Sequence, residues 1–257
     1  MHTCFHPELQ EGSCTLTEQE AAHVSRVLRM KKGDAVRLID GHGAVATGVL
    51  IEVERKTVTV AVGPVTRQVD RPQGLVLVVS PTKSSDRFEW LLEKATELGV
   101  ESIIPIWTHR STRRTAKHER WSKVIQAATK QCLREWMPVL HPACPLEELT
   151  RIHPWLIDRP GAVAHCMETL PNVQNRMPWA QWQGDKDVAW LAIGPEGDFE
   201  PAEVEVLTKQ GATPVHLGSL RLRTETAGMA AVAQFLTQDD LDGPSGIGRQ
   251  CVTSPKK

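Results

Sequence analysis

Two polar, glycine-containing loops carry the residues best suited to chemistry in this chain. The first is Ile193-Gly-Pro-Glu-Gly-Asp198, and the second is Leu217-Gly-Ser-Leu-Arg-Leu-Arg-Thr-Glu225. A carboxylate such as Glu196 or Glu225 can serve as a general base, and an arginine such as Arg223 can steady a developing oxyanion. Plainer roles exist for each. A glycine can serve only to allow positive φ at a turn, and Glu225 can be a helix N-terminal carboxylate beside the macrodipole. Neither loop fits G-x-G-x-x-G or G-K-[ST], so neither a dinucleotide site nor a P-loop is indicated. Spacing picks out no Ser-His-Asp or Cys-His arrangement. What remains is a small-molecule site built from backbone amides and carbonyls.

The elements around the loops set where that site must lie. Each loop follows a short apolar run, Val188–Ile193 or Val215–Leu217, and leads into a helix. In open α/β sheets ligands sit beyond the carboxyl ends of the strands. The first helix has Glu200 at its cap, Pro201 at N1, a Phe199–Val204 staple and Gly211 past its end. The second runs to about Thr237 and is apolar nearly all round, from Ala227 through Leu236, which predicts burial on more than one side and a second subunit. Upstream, Leu75–Val79 reads as a strand buried on both faces. Asp86-x-x-Glu89 reads as a capping box opening a helix that Gly99 ends, and Ile103–Trp107 is the next strand. Together these predict an α/β domain with a parallel sheet over residues 71–240. In the stretch 135–190 only short pieces are legible: strands at Val139–Leu140 and Leu156–Ile157, a helix at Pro145–Leu149, and a loop at 172–184.

Residues 1–70 follow a different pattern. Thr17-Glu-Gln-Glu20 predicts a capping box and a helix to about Met30. Three strands follow, Ala35–Ile39, Ala44–Val53 and Thr57–Val62, and predict a small β-barrel. The polar, proline-bearing stretch 63–73 marks the boundary. Residues 241–257 are expected to be a disordered tail.

Charge and cysteine usage narrow the partners. Net charge is −1, yet residues 110–134 hold eight cations against Glu119 alone. A local net charge of +7 points to a phosphate backbone. Arg110, Arg113, Arg114, Arg120 and Arg134 are its candidate RNA contacts. Arg26 and Arg29, with Lys31 and Lys32, face either RNA or the end of the first helix, where cations suit the dipole. The chain has no run of about 18 apolar residues and no signal-like start, so a soluble cytoplasmic protein is expected, with no membrane partner. The six cysteines include no C-x-x-C pair and predict reduced thiols. His2-x-Cys4-x-His6 is the only metal-like spacing; it lies at a chain end, and no metal is expected.

The paired loops, with Phe199 and the run through Ala227, resemble the C-terminal motifs of SPOUT methyltransferases. More narrowly, they are similar to the bacterial 16S rRNA uracil-N3 methyltransferases, the small-subunit methyltransferase E family. Val27-Leu-Arg-Met with Gly33-Asp34, Glu93-Lys-Ala-Thr-Glu-Leu-Gly-Val100, and Arg120-Trp with Ala127 to Arg134 carry the resemblance over nearly the whole chain. It implies a PUA-like barrel, a trefoil-knotted α/β domain, S-adenosylmethionine in the knot, a homodimer, and 16S rRNA of the small ribosomal subunit as substrate. Ile193, Gly194, Glu196, Gly197, Leu217, Gly218, Leu222, Arg223 and Thr226 would line the cofactor pocket. Arg223 would stabilise the uracil anion, with Glu196 or Glu225 as base. Two departures stand out: Asp198 replaces the family's usual second glycine, and Met1 to Phe5 replaces its usual Arg-plus-aromatic start. A sister SPOUT enzyme acting on another RNA or a ribose 2′-OH, and a non-catalytic RNA-binding or assembly protein, are the competing readings.

Overall fold

The computed structural model describes residues 1–112, 114–167, 176–182 and 188–241, with side chains up to Leu236. The N-terminal part comprises β1 (His2–Phe5), β2 (Gly12–Thr15), α1 (Glu18–Ala22), β3 (Ala35–Ile39), β4 (Ala44–Val53), β5 (Val58–Val62) and β6 (Thr66–Arg67). These strands form one sheet in the order β1-β3-β4-β5-β2, with β6 added to β4. Along β4 buried and outward residues alternate, the period-two pattern of a half-buried strand. Leu38, Leu50, Val58 and Val60 fill the interior with Val24. Cys4 points into that interior, and burial raises its thiol pKa to about 12.

The first helix departs from expectation. Thr17 Oγ1 accepts from the Glu20 amide at 3.4 Å, but the Glu20 carboxylate pairs with Lys130, far along the chain, and no reciprocal bond forms. After Ala22 the helix widens into a π turn, His23–Val27, and Arg29 sits at φ 54°. A residue read as a local cap thus serves a long-range contact instead.

The second part comprises β7 (Leu75–Val79), α2 (Ser85–Leu98), β8 (Ser102–Trp107), α3 (His118–Gln131), β9 (Val139–Leu140), β10 (Cys144–Pro145), α4 (Leu149–Ile152), β11 (Gly161–Ala164), β12 (Met177–Pro178), β13 (Ala189–Ile193), α5 (Pro201–Lys209), β14 (Ala212–His216) and α6 (Thr224–Leu241). The sheet order is β10-β8-β7-β13-β11-β14-β12, with β9 beside β8. Its pairings are parallel. Every residue of β7, β11 and β13 is buried, as expected where helices cover both faces. On one face Phe88, Leu91, Trp121, Ile125, Ala231 and Phe235 pack from α2, α3 and α6. On the other, Phe199, Val204 and Leu207 of the α5 segment meet Leu146, Leu149 and Leu156. From β13 the chain crosses β11 through α5 to reach β14. Residues 217–223 then carry it across the strand ends to the opposite face, where α6 begins.

Several local expectations change here. The α2 helix begins at Ser85 with Ser84 at its cap, so Asp86 and Glu89 form no capping box. Glu89 instead accepts from Ser85 Oγ and pairs with Arg120 at 2.7 Å. The segment Pro154–Leu156 is a 3-10 turn rather than a strand: Trp190 Nε1 from β13 donates to the Leu156 carbonyl at 3.1 Å and holds the turn against one face of the sheet. The Trp190 ring occupies the space a Cβ on Gly161 would need, only 2.1 Å away. The loop expected at 172–184 includes β12 and a turn at Trp179–Gln181; its residues 172–175, 183 and 184 lie outside the described residues, as does most of the tail. Gly99 closes α2 at φ 106°, and the Glu200–Glu203 capping box with Pro201 at N1 opens α5.

Candidate active site

The carboxyl ends of three parallel strands define the site. Ala164 of β11 is level with Ile193 of β13 and with Val215 of β14. Just beyond them lies a cleft of about 700 Å3. Ile193, Gly194, Glu196, Leu217, Gly218, Leu222 and Arg223 line it. Gly197 lies behind the wall, where its carbonyl accepts from Arg110 Nη1 at 2.7 Å. Thr226 and Glu225 stand in the first turn of α6, off the lining. Glu225 is buried, 3.7 Å from Arg87, with one carboxylate oxygen unpartnered among the described residues.

The two loops are fastened to their surroundings. Glu196 Oε1 accepts from the Lys83 amide at 2.8 Å, joining the first loop to the β7–α2 connection. Thr224 Oγ1 donates to the Gly194 carbonyl at 3.1 Å, joining the two loops to each other. A Cβ on Gly194 would stand 3.0 Å from the Phe199 amide nitrogen, so any larger residue would push this backbone apart by a few tenths of an ångström. Asp198 stands where the motif resemblance leads one to expect a second glycine. It adopts φ 65°, and its carboxylate accepts from the Phe199 and Cys166 amides, each at 2.8 Å. Asp tolerates the left-handed region better than most residues because its side chain bonds locally. The second bond ties the end of β11 to the loop after β13.

Sequence reasoning missed one wall of the cleft. His165 and Cys166 follow β11, and Arg176 precedes β12. Nothing in the stretch 135–190 marked them; the only signal was the short apolar run Gly161–Ala164. His165 is 4% exposed, and neither ring nitrogen has a partner among the described residues. Burial holds its pKa below the ordinary value, the Arg176 charge adds to that, and Asp198 opposes it. This environment favours the neutral ring.

Much of the basic stretch serves the fold. Arg134 donates to the carbonyls of Thr96 and Val100 at 2.8 and 3.1 Å, capping the C-terminal end of α2. Arg120 pairs with Glu89, Lys130 with Glu20, and Arg110 with Glu200 at 3.7 Å. Arg114 donates to the Thr108 carbonyl at 3.4 Å but is otherwise exposed. Arg26 and Arg29 are exposed on the barrel side, and Arg113 lies outside the described residues. Local net charge overstated the number of free cations, because the compensating carboxylates come from elsewhere in the chain.

These features, a parallel sheet with a loop-built cleft at its carboxyl edge beside a small barrel, have known counterparts. The sequence model for an RNA methyltransferase domain matches residues 69–236, and that for an RNA methyltransferase PUA domain matches residues 16–63. The chain belongs to the RNA methyltransferase family with a PUA domain. A relative from Synechocystis named ribosomal RNA small subunit methyltransferase E is 29% identical, covering 89% of this chain and 74% of its own length. A crystal structure described as a probable rRNA-methyltransferase from Porphyromonas gingivalis superposes with a TM-score of 0.83 at 34% identity, covering 95% of this chain and 100% of that one. The ribosomal RNA small subunit methyltransferase E of Neisseria gonorrhoeae, bound to S-adenosyl methionine, superposes at 0.80 with 25% identity over 94% and 98% of the two chains. The architecture is thus that of the SPOUT methyltransferases preceded by a PUA-like barrel, as the motifs implied.

Proposed function

We propose that this protein transfers a methyl group from S-adenosylmethionine to N3 of a uridine in 16S rRNA, acting on the small ribosomal subunit in the cytoplasm. The observation that carries this reading is the cleft between the Gly194 and Gly218 loops, in a chain of the RNA methyltransferase family. The residues present fit the methyl donor. The volume, about 700 Å3, is within the usual range for small-molecule sites. Ile193, Leu217, Leu222 and Ala227 offer apolar walls for a nucleoside, glycines allow close backbone approach, and His165 leaves two buried ring nitrogens for a ligand. When bound, the donor supplies an electrophilic sulfonium methyl whose C–S bond breaks with both electrons passing to sulfur.

The chain's own residues have three tasks. The loops hold the reacting atoms in line, and alignment of this kind is worth up to roughly 7–11 kcal/mol. Arg223, exposed at the mouth, steadies negative charge on the uracil oxygens as N3 loses its proton. A carboxylate takes that proton. Glu196 lines the cleft whereas Glu225 faces Arg87, which favours Glu196 as base. The target base must leave its stack to reach this depth.

The reading also takes in a division near residue 70, RNA contact by Arg26, Arg29 and Arg114, a trefoil knot where 217–223 passes the first loop, and a homodimer. Half-buried Met229 and Ala230 on α6 support the dimer, which sedimentation would test. The decisive experiment supplies the protein and donor to small subunits from a strain lacking the activity and maps the modified nucleoside. N3-methyluridine in 16S rRNA is expected. A 2′-O-methyl product or another RNA target would favour a sister enzyme, and absence of donor binding would favour a non-catalytic protein. Single-turnover methylation by Arg223→Ala should slow at least tenfold with donor still bound; an unchanged rate would remove its role.

A further inference from the structure

We infer that His165 is a specificity-determining residue for the methyl donor, hydrogen-bonding its adenosine moiety at the floor of the cleft. The inference deepens the proposed function and rests on it. His165 is 4% exposed, yet Nδ1 and Nε2 both lack partners among the described residues. Buried polar atoms are almost always paired in native proteins, so two orphaned nitrogens on one ring call for a ligand. Its place supports this. His165 is the first residue past β11, level with Gly194 just past β13 and with His216 at the end of β14, and it lines the same cleft as both loops.

The chemistry of the ring selects the part of the ligand. A neutral imidazole offers one donor and one acceptor. Adenosine matches it, with an amine and hydroxyls that donate and ring nitrogens that accept. The amino-acid end of the donor is zwitterionic and suits the solvent-exposed side of the cleft, where Arg221 stands, rather than a buried uncharged ring. The burial of His165 favours a small ligand over a base presented on RNA. The backbone beside the ring is fixed independently: Arg176 Nη1 donates to the His165 carbonyl and the Cys166 amide donates to Asp198. The backbone that carries the ring is therefore held before any ligand arrives.

Calorimetry of the full chain with S-adenosylhomocysteine tests this. His165→Phe keeps the ring volume and removes both hydrogen bonds; it should weaken binding about tenfold or more, the usual effect of leaving a polar partner unpaired. His165→Gln should recover part of the loss. The KM for RNA should stay at the wild-type value. If the wild type itself fails to bind S-adenosylhomocysteine, the proposed function falls. If the wild type binds and His165→Phe binds equally well, this inference alone falls. A variant with unchanged S-adenosylhomocysteine affinity and a raised KM for RNA would mean that the ring meets the target base, which also overturns the assignment. Ring-nitrogen NMR of the wild-type protein needs no variant: saturating S-adenosylhomocysteine should shift the His165 signals, and unmoved signals would refute the contact.

Discussion

Replacing Asp198 separates two energies that the structure combines at one residue. Asp198 sits at φ 65° and accepts from the Phe199 and Cys166 amides. Asp198→Gly removes both bonds but relieves the left-handed backbone. Asp198→Ala removes the same bonds and keeps the backbone strained. Hydrogen bonds to a charged acceptor contribute about 1.5–3 kcal/mol, and one of these is exposed, so their combined loss should sit near the low end of that range. The left-handed conformation costs alanine about 1 kcal/mol more than glycine. Expected destabilisations are therefore about 1–2 kcal/mol for Asp198→Gly and about 2–3 kcal/mol for Asp198→Ala. Asp198→Asn keeps an acceptor and tolerates the conformation, and should lose under about 1 kcal/mol. Urea unfolding monitored by tryptophan fluorescence measures the series, with unchanged m-values as the condition for comparing midpoints. Equal losses for the Gly and Ala variants would refute the strain account. A loss for Asp198→Ala no larger than its strain of about 1 kcal/mol would refute the role of the carboxylate bonds.

Other perturbations test separate parts of the fold. Burial holds the His141 pKa at about 4, with the charges of His153 and Arg71 adding to the shift. Below the ordinary 6.5 the unfolded chain takes up a proton that the folded chain refuses, so this stability is present above about pH 6.5 and is lost towards pH 4. After discounting for partial exposure the loss is about 1–2 kcal/mol. His141→Phe, which keeps a ring against His153 and Trp155, should flatten that limb, and matching pH profiles for the two proteins would exclude the effect. Arg134→Met should cost about 2–3 kcal/mol by uncapping the end of α2 while leaving the salt dependence of RNA binding unchanged. A shallower salt slope with native stability would restore Arg134 as a phosphate contact.

Legibility differed between elements for physical reasons. Helix ends set by residues within one turn were readable: Gly99 stops α2, and Glu200 with Pro201 opens α5. Caps failed where a distant partner competed. Glu20 turns to Lys130, and Glu89 to Arg120, across gaps of many residues that no local pattern records. Both loops of the candidate site were legible because glycine, proline and charge cluster at strand ends. The third wall, made by His165, Cys166 and Arg176, was not, because β11 is four residues long and its neighbours in the sheet, β13 and β14, come later in the chain.

The sequence by itself determined the two-part organisation, the parallel α/β pattern and the loop pair, since each follows from local periodicity and turn chemistry. Only the tertiary structure decided which charges are free, how a non-glycine fits at 198, and which residues close the cleft. Those outcomes depend on the order of strands across the sheet, which brings Ala164, Ile193 and Val215 level and sets a buried histidine beside loops that lie far along the chain.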